Sequence, residues 1–165
     1  KIDRYKINPG VGIGKIVLDA TYEDVINEWG KPQLEHKLCV VDEAGKEKSD
    51  ECTDIELSYN KGTSEEIEFR LVPPDKSGKV YEIIVEGSSF NLNGIGPKVS
   101  TCGDVIKMFG QHDYETSSQS FISYRDKFGV RCRCLKKGGC ELKDKIAWWI
   151  SVEKDVGLIH LYPTD

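Results

Sequence analysis

Apolar and polar positions alternate along four stretches in the first half of this chain, residues 34–41, 54–59, 65–72 and 80–86, and a period of two predicts half-buried β-strands. Four more such stretches follow at 119–124, 130–134, 146–152 and 158–162. Ahead of each group stands a short helical segment, Thr21–Gly30 in the first half and Thr101–Gly110 in the second. Turn-rich separators lie at 60–62, 73–78, 136–139 and 154–157, and residues 87–93 read as a hinge between the halves.

Successive side chains of a strand face opposite sides of a sheet, so each stretch sorts into two sets. In the first half Ile55, Leu57, Tyr59, Ile67, Phe69, Leu71, Tyr81, Ile83 and Val85 are expected in the core. Glu56, Ser58, Glu68, Arg70, Glu82 and Glu86 then make an acidic opposite face. In the second half the core set includes Ile122, Val130, Cys132, Cys134, Trp148 and Ile150, while Phe121, Arg131, Arg133, Trp149, His160 and Tyr162 fall opposite. A single β-bulge would exchange Trp148 with Trp149.

The two helical segments align residue for residue. They share Thr, Asp, Val, Ile and Gly at matching places, with an aromatic residue before each Gly, and a Gly-Ile-Gly precedes both, at Gly12–Gly14 and Gly94–Gly96. Thr21 and Thr101 are N-caps, Asp24 and Asp104 stand in the first turn beside the positive helix end, and Gly30 and Gly110 are left-handed stops. Helices of about two turns need a sheet to pack on. The expected fold class is therefore α+β, two tandem copies of a short helix plus an antiparallel strand meander, joined into one continuous or paired curved sheet with the helices on one face. The copies would be residues 1–87, with an N-terminal arm, and residues 88–165.

A T-x-x-[DE]-V-x-x-x-x-G helix after a Gly-rich lead-in and before a strand meander, all of it given twice, resembles the tandem-repeat β-lactamase inhibitory protein fold. Single-copy relatives of that fold include small lipoproteins of outer-membrane assembly. The family usually has Gly-Met before the capping Thr, where this chain has Asp19-Ala20 and Ser100. The resemblance implies a concave sheet that grips a protein target, with a loop of the first copy reaching into an enzyme's active site. The corresponding loop is Asp42–Glu51, with Glu47 and Asp50 among its acidic side chains, and the resemblance implies that Cys39 and Cys52 staple its base. The plainer reading of that loop is a solvated acidic hairpin tip.

Composition narrows the function classes. Hydrophobic residues make up 38% of the 165 and charged residues 31%, and no stretch approaches the roughly 20 apolar residues of a membrane helix. With 23 basic residues dispersed among 28 acidic ones and a net charge of −5, there is no basic stripe to neutralise a phosphate backbone, so nucleic acid is not the expected partner. Six cysteines, Cys39, Cys52, Cys102, Cys132, Cys134 and Cys140, point to disulfides in an oxidising compartment. Zinc is the rival, but only Cys132-x-Cys134 comes near ligand spacing. Cys102 is expected to pair with Cys132 or Cys134, leaving the other for Cys140. The chain opens on the polar run Lys1–Lys6, so an export signal, of lipoprotein type or otherwise, is expected upstream.

Catalytic signatures are missing from the sequence. His36, His112 and His160 lie in unrelated segments, no nucleophile elbow, zinc-protease helix or phosphate loop occurs, and Gly10–Gly14 reads as a flexible lead-in turn. The expected protein is a monomeric, non-enzymatic protein-binding module without a cofactor. It would be periplasmic, attached to the outer membrane or secreted, and either inhibitor-like or a lipoprotein that binds an envelope or host protein. Its partner-binding face would be Phe121, Arg131, Arg133, Trp149, His160 and Tyr162, an Arg and aromatic surface of the composition enriched at interfaces, with Glu47 and Asp50 on the loop. The alternative is that Trp149 and Phe121 pack internally while Arg131 and Arg133 pair with the acidic face. Two other functions stay open: an assembly component of an envelope complex, and more remotely a small-ligand carrier or enzyme.

Overall fold

In the computed structural model of the chain, residues 2–110, 121–124, 130–133, 141–143 and 149–153 are described, the strands after residue 120 by their backbone register. Residues 7–17 form a small antiparallel sheet of three two-residue strands, β1 (Ile7–Asn8), β2 (Gly12–Ile13) and β3 (Ile16–Val17). Glycine is required at position 12, where a β-carbon would stand 2.2 Å from the Ile16 carbonyl oxygen. Helices α1 (Tyr22–Trp29) and α2 (Cys102–Phe109) start where the capping threonines predict. Thr21 Oγ1 accepts from the Asp24 amide at 3.1 Å while Asp24 accepts from the Thr21 amide at 3.0 Å. The same reciprocal pair joins Thr101 and Asp104 at 3.2 and 2.9 Å, satisfying amides that a helix start leaves open. Gly30 and Gly110 end the helices at φ 81° and 78°, a region that side chains disfavour.

The main sheet has seven antiparallel strands: β4 (Leu34–Val41), β5 (Glu47–Tyr59), β6 (Ile67–Val72), β7 (Lys79–Val85), β8 (Phe121–Tyr124), β9 (Val130–Arg133) and β10 (Trp149–Glu153), in the order β4-β5-β6-β7-β10-β9-β8. Cross-strand rows carry the core. One runs Tyr59–Ile67–Val85, its backbone register continuing through position 150 to the buried Cys132, and the next runs through Leu57–Phe69–Ile83. Val25, Cys102 and Val105 from the helices join this core. So do Ile7, Ile13 and Ile16 from the small sheet, and Phe90, Leu92 and Ile95 from the segment after β7.

The architecture corrects the expected tandem of helix-plus-meander copies with helices covering one face. Among the described residues the protein is mainly antiparallel sheet, in two sheets, with two helices of eight residues each. Eight residues rise only about 12 Å, against roughly 29 Å across seven strands, so helices cannot form a layer over this sheet. Irregular chain at 90–95 and the small sheet at 7–17 supply much of the remaining cover. Within Gly10–Gly14, read as a flexible turn, Gly12–Ile13 is strand β2, while Gly10 and Gly14 stand in the turns on either side at φ 69° and 58°.

The N-terminal arm is tied down by Arg4. Helix α1 has no basic residue in its last turn, and Arg4 Nη2 supplies one from outside by donating to the Glu28 carbonyl at 2.7 Å. The guanidinium lies 4.0 Å above the Trp29 ring. Tyr5 adds an edge contact to Phe90 and donates its hydroxyl to Glu65. Arg4→Ala is expected to destabilise the protein by about 1–2 kcal/mol, with Arg4→Lys recovering part of the loss, as read from urea unfolding followed by tryptophan fluorescence.

Candidate functional site

The sheet face away from the helices is built by alternation and one irregularity. Leu57 and Tyr59 enter the core, so Glu56 and Ser58 fall on the other side, and the register continues them through Arg70, Glu82 and Glu68, Ile84. Between Arg70 and Leu71 the β6–β7 register shifts, with Arg70 opposite Glu82 and Leu71 opposite Val80. Tyr81 is the extra residue of this β-bulge. Val80 therefore takes the core position that alternation gave to Tyr81, and Tyr81 turns to the charged face, where its hydroxyl donates to Asp54 Oδ2 at 2.5 Å. Thr53 Oγ1 donates to the other Asp54 oxygen at 2.7 Å.

This face is not an ordinary solvated one. Asp54, Ser58, Tyr81, Glu82 and Ile84 are all buried. At its centre Arg70 meets three glutamates, Glu68 at 3.0 Å, Glu82 at 3.4 Å and Glu56 at 3.9 Å. Burial works against the Arg70 charge, but the carboxylates, Glu82 and Glu68 foremost, more than offset it and hold the guanidinium cationic. Burial, together with a hydrogen bond and repulsion from Glu56, pushes the Glu68 carboxyl up to about 7 despite Arg70. Nearby, burial and then the hydrogen bond to Glu66 push Glu86 up to about 8. Burial also acts on Glu66, but donation from Glu86 and from the Gly62 amide outweighs it and keeps that carboxyl low. Tyr81 is raised by burial and by Asp54. Among the described residues no group of three His, Cys, Asp or Glu side chains is arranged to hold a metal ion.

Cys39 and Cys52 form a disulfide between β4 and β5. Half of the stretch read as a loop at 42–51 is strand, because Val41 pairs with Glu47 and the tip at 42–46 turns. Glu47 is exposed and meets His36 Nε2 at 3.2 Å, and Asp50 lies exposed on the same ribbon. Cys102 and Cys132 are both buried in the core, close enough that Cys102 adds to the effect of burial in raising the Cys132 thiol. Cys134 and Cys140 lie outside the described residues.

The register brings Phe121, Arg133 and Trp149 into one cross-strand row. Arg131 stands in the next row, Ser58–Glu68–Ile84–Ser151–Arg131–Ser123, which begins in the acidic cluster. His160 and Tyr162 lie outside the described residues, as does His112. Glu47 and Asp50 are not brought to this set, since β5 and β9 are four strand spacings apart, roughly 19 Å. Alternation alone found Glu56, Ser58, Glu68, Arg70 and Glu82. It missed Asp54 and Tyr81, because a bulge depends on the partner strand and leaves no mark in one strand's own pattern.

Two consequences are measurable. Glu68 and Glu86 bind a proton more tightly in the folded protein than at their ordinary value of 4.5, so their contribution to stability is full below that value and is lost as pH rises through about 7 and 8. Urea midpoints are expected to fall between pH 5.5 and 8.5, with Glu68→Gln removing the part of the fall that lies between 4.5 and about 7. Tyr81→Phe leaves Asp54 buried with Thr53 as its remaining side-chain donor, and a loss of about 1–3 kcal/mol in urea unfolding is expected.

No family model matches the chain, and no curated protein sequence matches it. Among solved structures, a 1.5 Å crystal structure of an extracellular protein containing an SCP domain from Bacillus anthracis str. Ames is similar, with a TM-score of 0.51 at 11% identity over 84% of this chain. The match covers 44% of that protein, so this chain spans less than half of its length, and at such identity the likeness concerns the fold alone.

Proposed function

We propose that this chain is an extracytoplasmic protein-binding module that docks a partner protein on the sheet face away from its helices. The observation that carries the reading is the row Ser58–Glu68–Ile84–Ser151–Arg131, which joins a buried acidic cluster to the strands bearing Arg131, Arg133, Phe121 and Trp149. Charge of both signs, set on one rigid sheet beside aromatic residues, is suited to fixing the register of a protein partner more than to chemistry on a small substrate. The Cys39–Cys52 ribbon at the sheet edge extends this surface in the manner of an inhibitor's reaching loop. The disulfide supports an oxidising compartment, and the extracellular description of the structural neighbour agrees with that. Attachment through an upstream lipid anchor is part of the same proposal.

The test is affinity capture from the native envelope or extracellular fraction, using the immobilised chain with quantitative mass spectrometry. A discrete partner is expected on the wild-type chain and to fall at least tenfold on the double variant Trp149→Ala, Arg133→Ala, which corresponds to about 1.4 kcal/mol. A correctly folded double variant that captures the same protein at the same yield would remove the face from consideration.

A further inference from the structure

The Arg70 cluster holds one cation among three glutamates, and its acidic corner is Glu56 with Glu68. Both carboxyls reach the Arg70 guanidinium, and burial with the proximity of Glu56 favours the protonated form of Glu68. Ser58 stands directly opposite Glu68 in the β5–β6 ladder and two residues along β5 from Glu56, on the same face. Its Oγ is buried and has no hydrogen-bond partner among the described residues, and the residue is 1% exposed. Native proteins satisfy nearly all such atoms, so an unused hydroxyl on the same face as two carboxyls marks a place where a polar partner belongs. The carboxyls above it reach the surface, with side-chain exposures of 13% for Glu56 and 20% for Glu68.

We propose that Glu56, Glu68 and Ser58 form a receptor for the ε-ammonium of a lysine presented by the partner protein. This rests on the protein-binding reading above and names the chemistry of the contact. An ammonium is a compact charge with three donors, and this corner offers acceptors from three side chains on one face of β5 and β6. A second guanidinium is the poorer fit, since its planar fork prefers one carboxylate held bidentately and Arg70 Nε already takes Glu68 Oε2. Entry of the ammonium displaces the proton that Glu68 holds at lower pH, which leaves to solvent, and reaches the Ser58 hydroxyl. Binding therefore tightens as pH rises through about 7, the value to which the Glu68 carboxyl is pushed. The other charged groups near this corner are Arg70, Glu82, Asp54 beside Tyr81, and Glu86 with its neighbours Glu66 and Lys98, with register position Arg131 three strands beyond Glu68, roughly 14 Å away.

The experiment titrates the full chain with Nα-acetyl-lysine methylamide at constant ionic strength and follows the glutamate side-chain carboxyl carbons by NMR. A saturable shift at Glu56 and Glu68 is expected, about tenfold weaker in affinity at pH 6 than at pH 8, and absent with the uncharged norleucine analogue. Glu68→Gln and Ser58→Ala should each weaken binding on the order of tenfold. An equal response to norleucine, no saturable shift at pH 8, or unchanged affinity in Glu68→Gln overturns the proposal. The comparison of pH 6 with pH 8 uses the wild-type chain alone and so decides the matter even where a variant fails to fold. If Arg131→Ala moves the Glu68 titration by a full pH unit, the completing cation is the chain's own and the proposal also falls. Binding of the lysine analogue by a chain that captures no protein keeps the ammonium site and removes the protein-binding reading. Capture that persists without analogue binding does the reverse.

Discussion

Strand β7 is hydrogen-bonded on both sides and buried from Val80 to Val85, and its register decides what every other part of the sheet presents. On one side it meets β6 with Phe69 opposite Ile83, and on the other β10 with Ile150 opposite Val85. A slip of one residue would move a whole strand's side chains to the wrong face, so the apolar rows through Val85 and Ile83 lock the pairing. The same lock places Glu56, Arg70 and Glu82 in one row on the other face. Core packing and charge placement are two results of one set of backbone ladders.

The bulge at Tyr81 shows how that constraint creates chemistry. Two adjacent residues of β7, Tyr81 and Glu82, oppose a single stretch of β6, and both reach the charged face. Asp54 gains a buried hydroxyl donor, and Arg70 gains its most buried carboxylate. Ion groups taken out of water in this way are weak contributors to net stability, because desolvation offsets most of the Coulomb attraction. Their use is in holding groups at fixed positions. Glu68, drawn up to about 7 by burial and by its contact with Glu56, belongs to a corner whose protonation changes near neutrality.

The remaining elements hold this sheet in place. The two capped helices bury Val25, Val105 and Cys102 in the core and pack Tyr22, Ile26, Trp29, Ile106 and Phe109 against it, and the small sheet at 7–17 and the segment with Phe90, Leu92 and Ile95 complete the cover. Arg4 ties the N-terminal arm to the end of α1 through Trp29 and the Glu28 carbonyl. At the opposite edge the Cys39–Cys52 bridge closes the β4–β5 ribbon, whose outer residues are exposed.

Local features were legible without coordinates. Thr21 and Thr101, with Asp24 and Asp104 three residues on, announce helix starts because capping depends on neighbours within one turn. Alternation at 54–59 and 67–71 separates core from face because a strand's side chains have a period of two along their own backbone. Strand order, the pairing of β7 with β10, the small sheet at the N terminus and the Tyr81 bulge are decided between segments distant in sequence, and no local pattern encodes them. The expected tandem architecture failed for this reason: two matching helices say nothing about what else covers a sheet. The sequence alone determined which residues carry charge and how each strand alternates. Tertiary structure decided that those charges would be buried together, that Asp54 and Tyr81 would join them, and that the Ser58 hydroxyl would be left without a partner among the described residues, because burial and cross-strand register are properties of the assembled sheet.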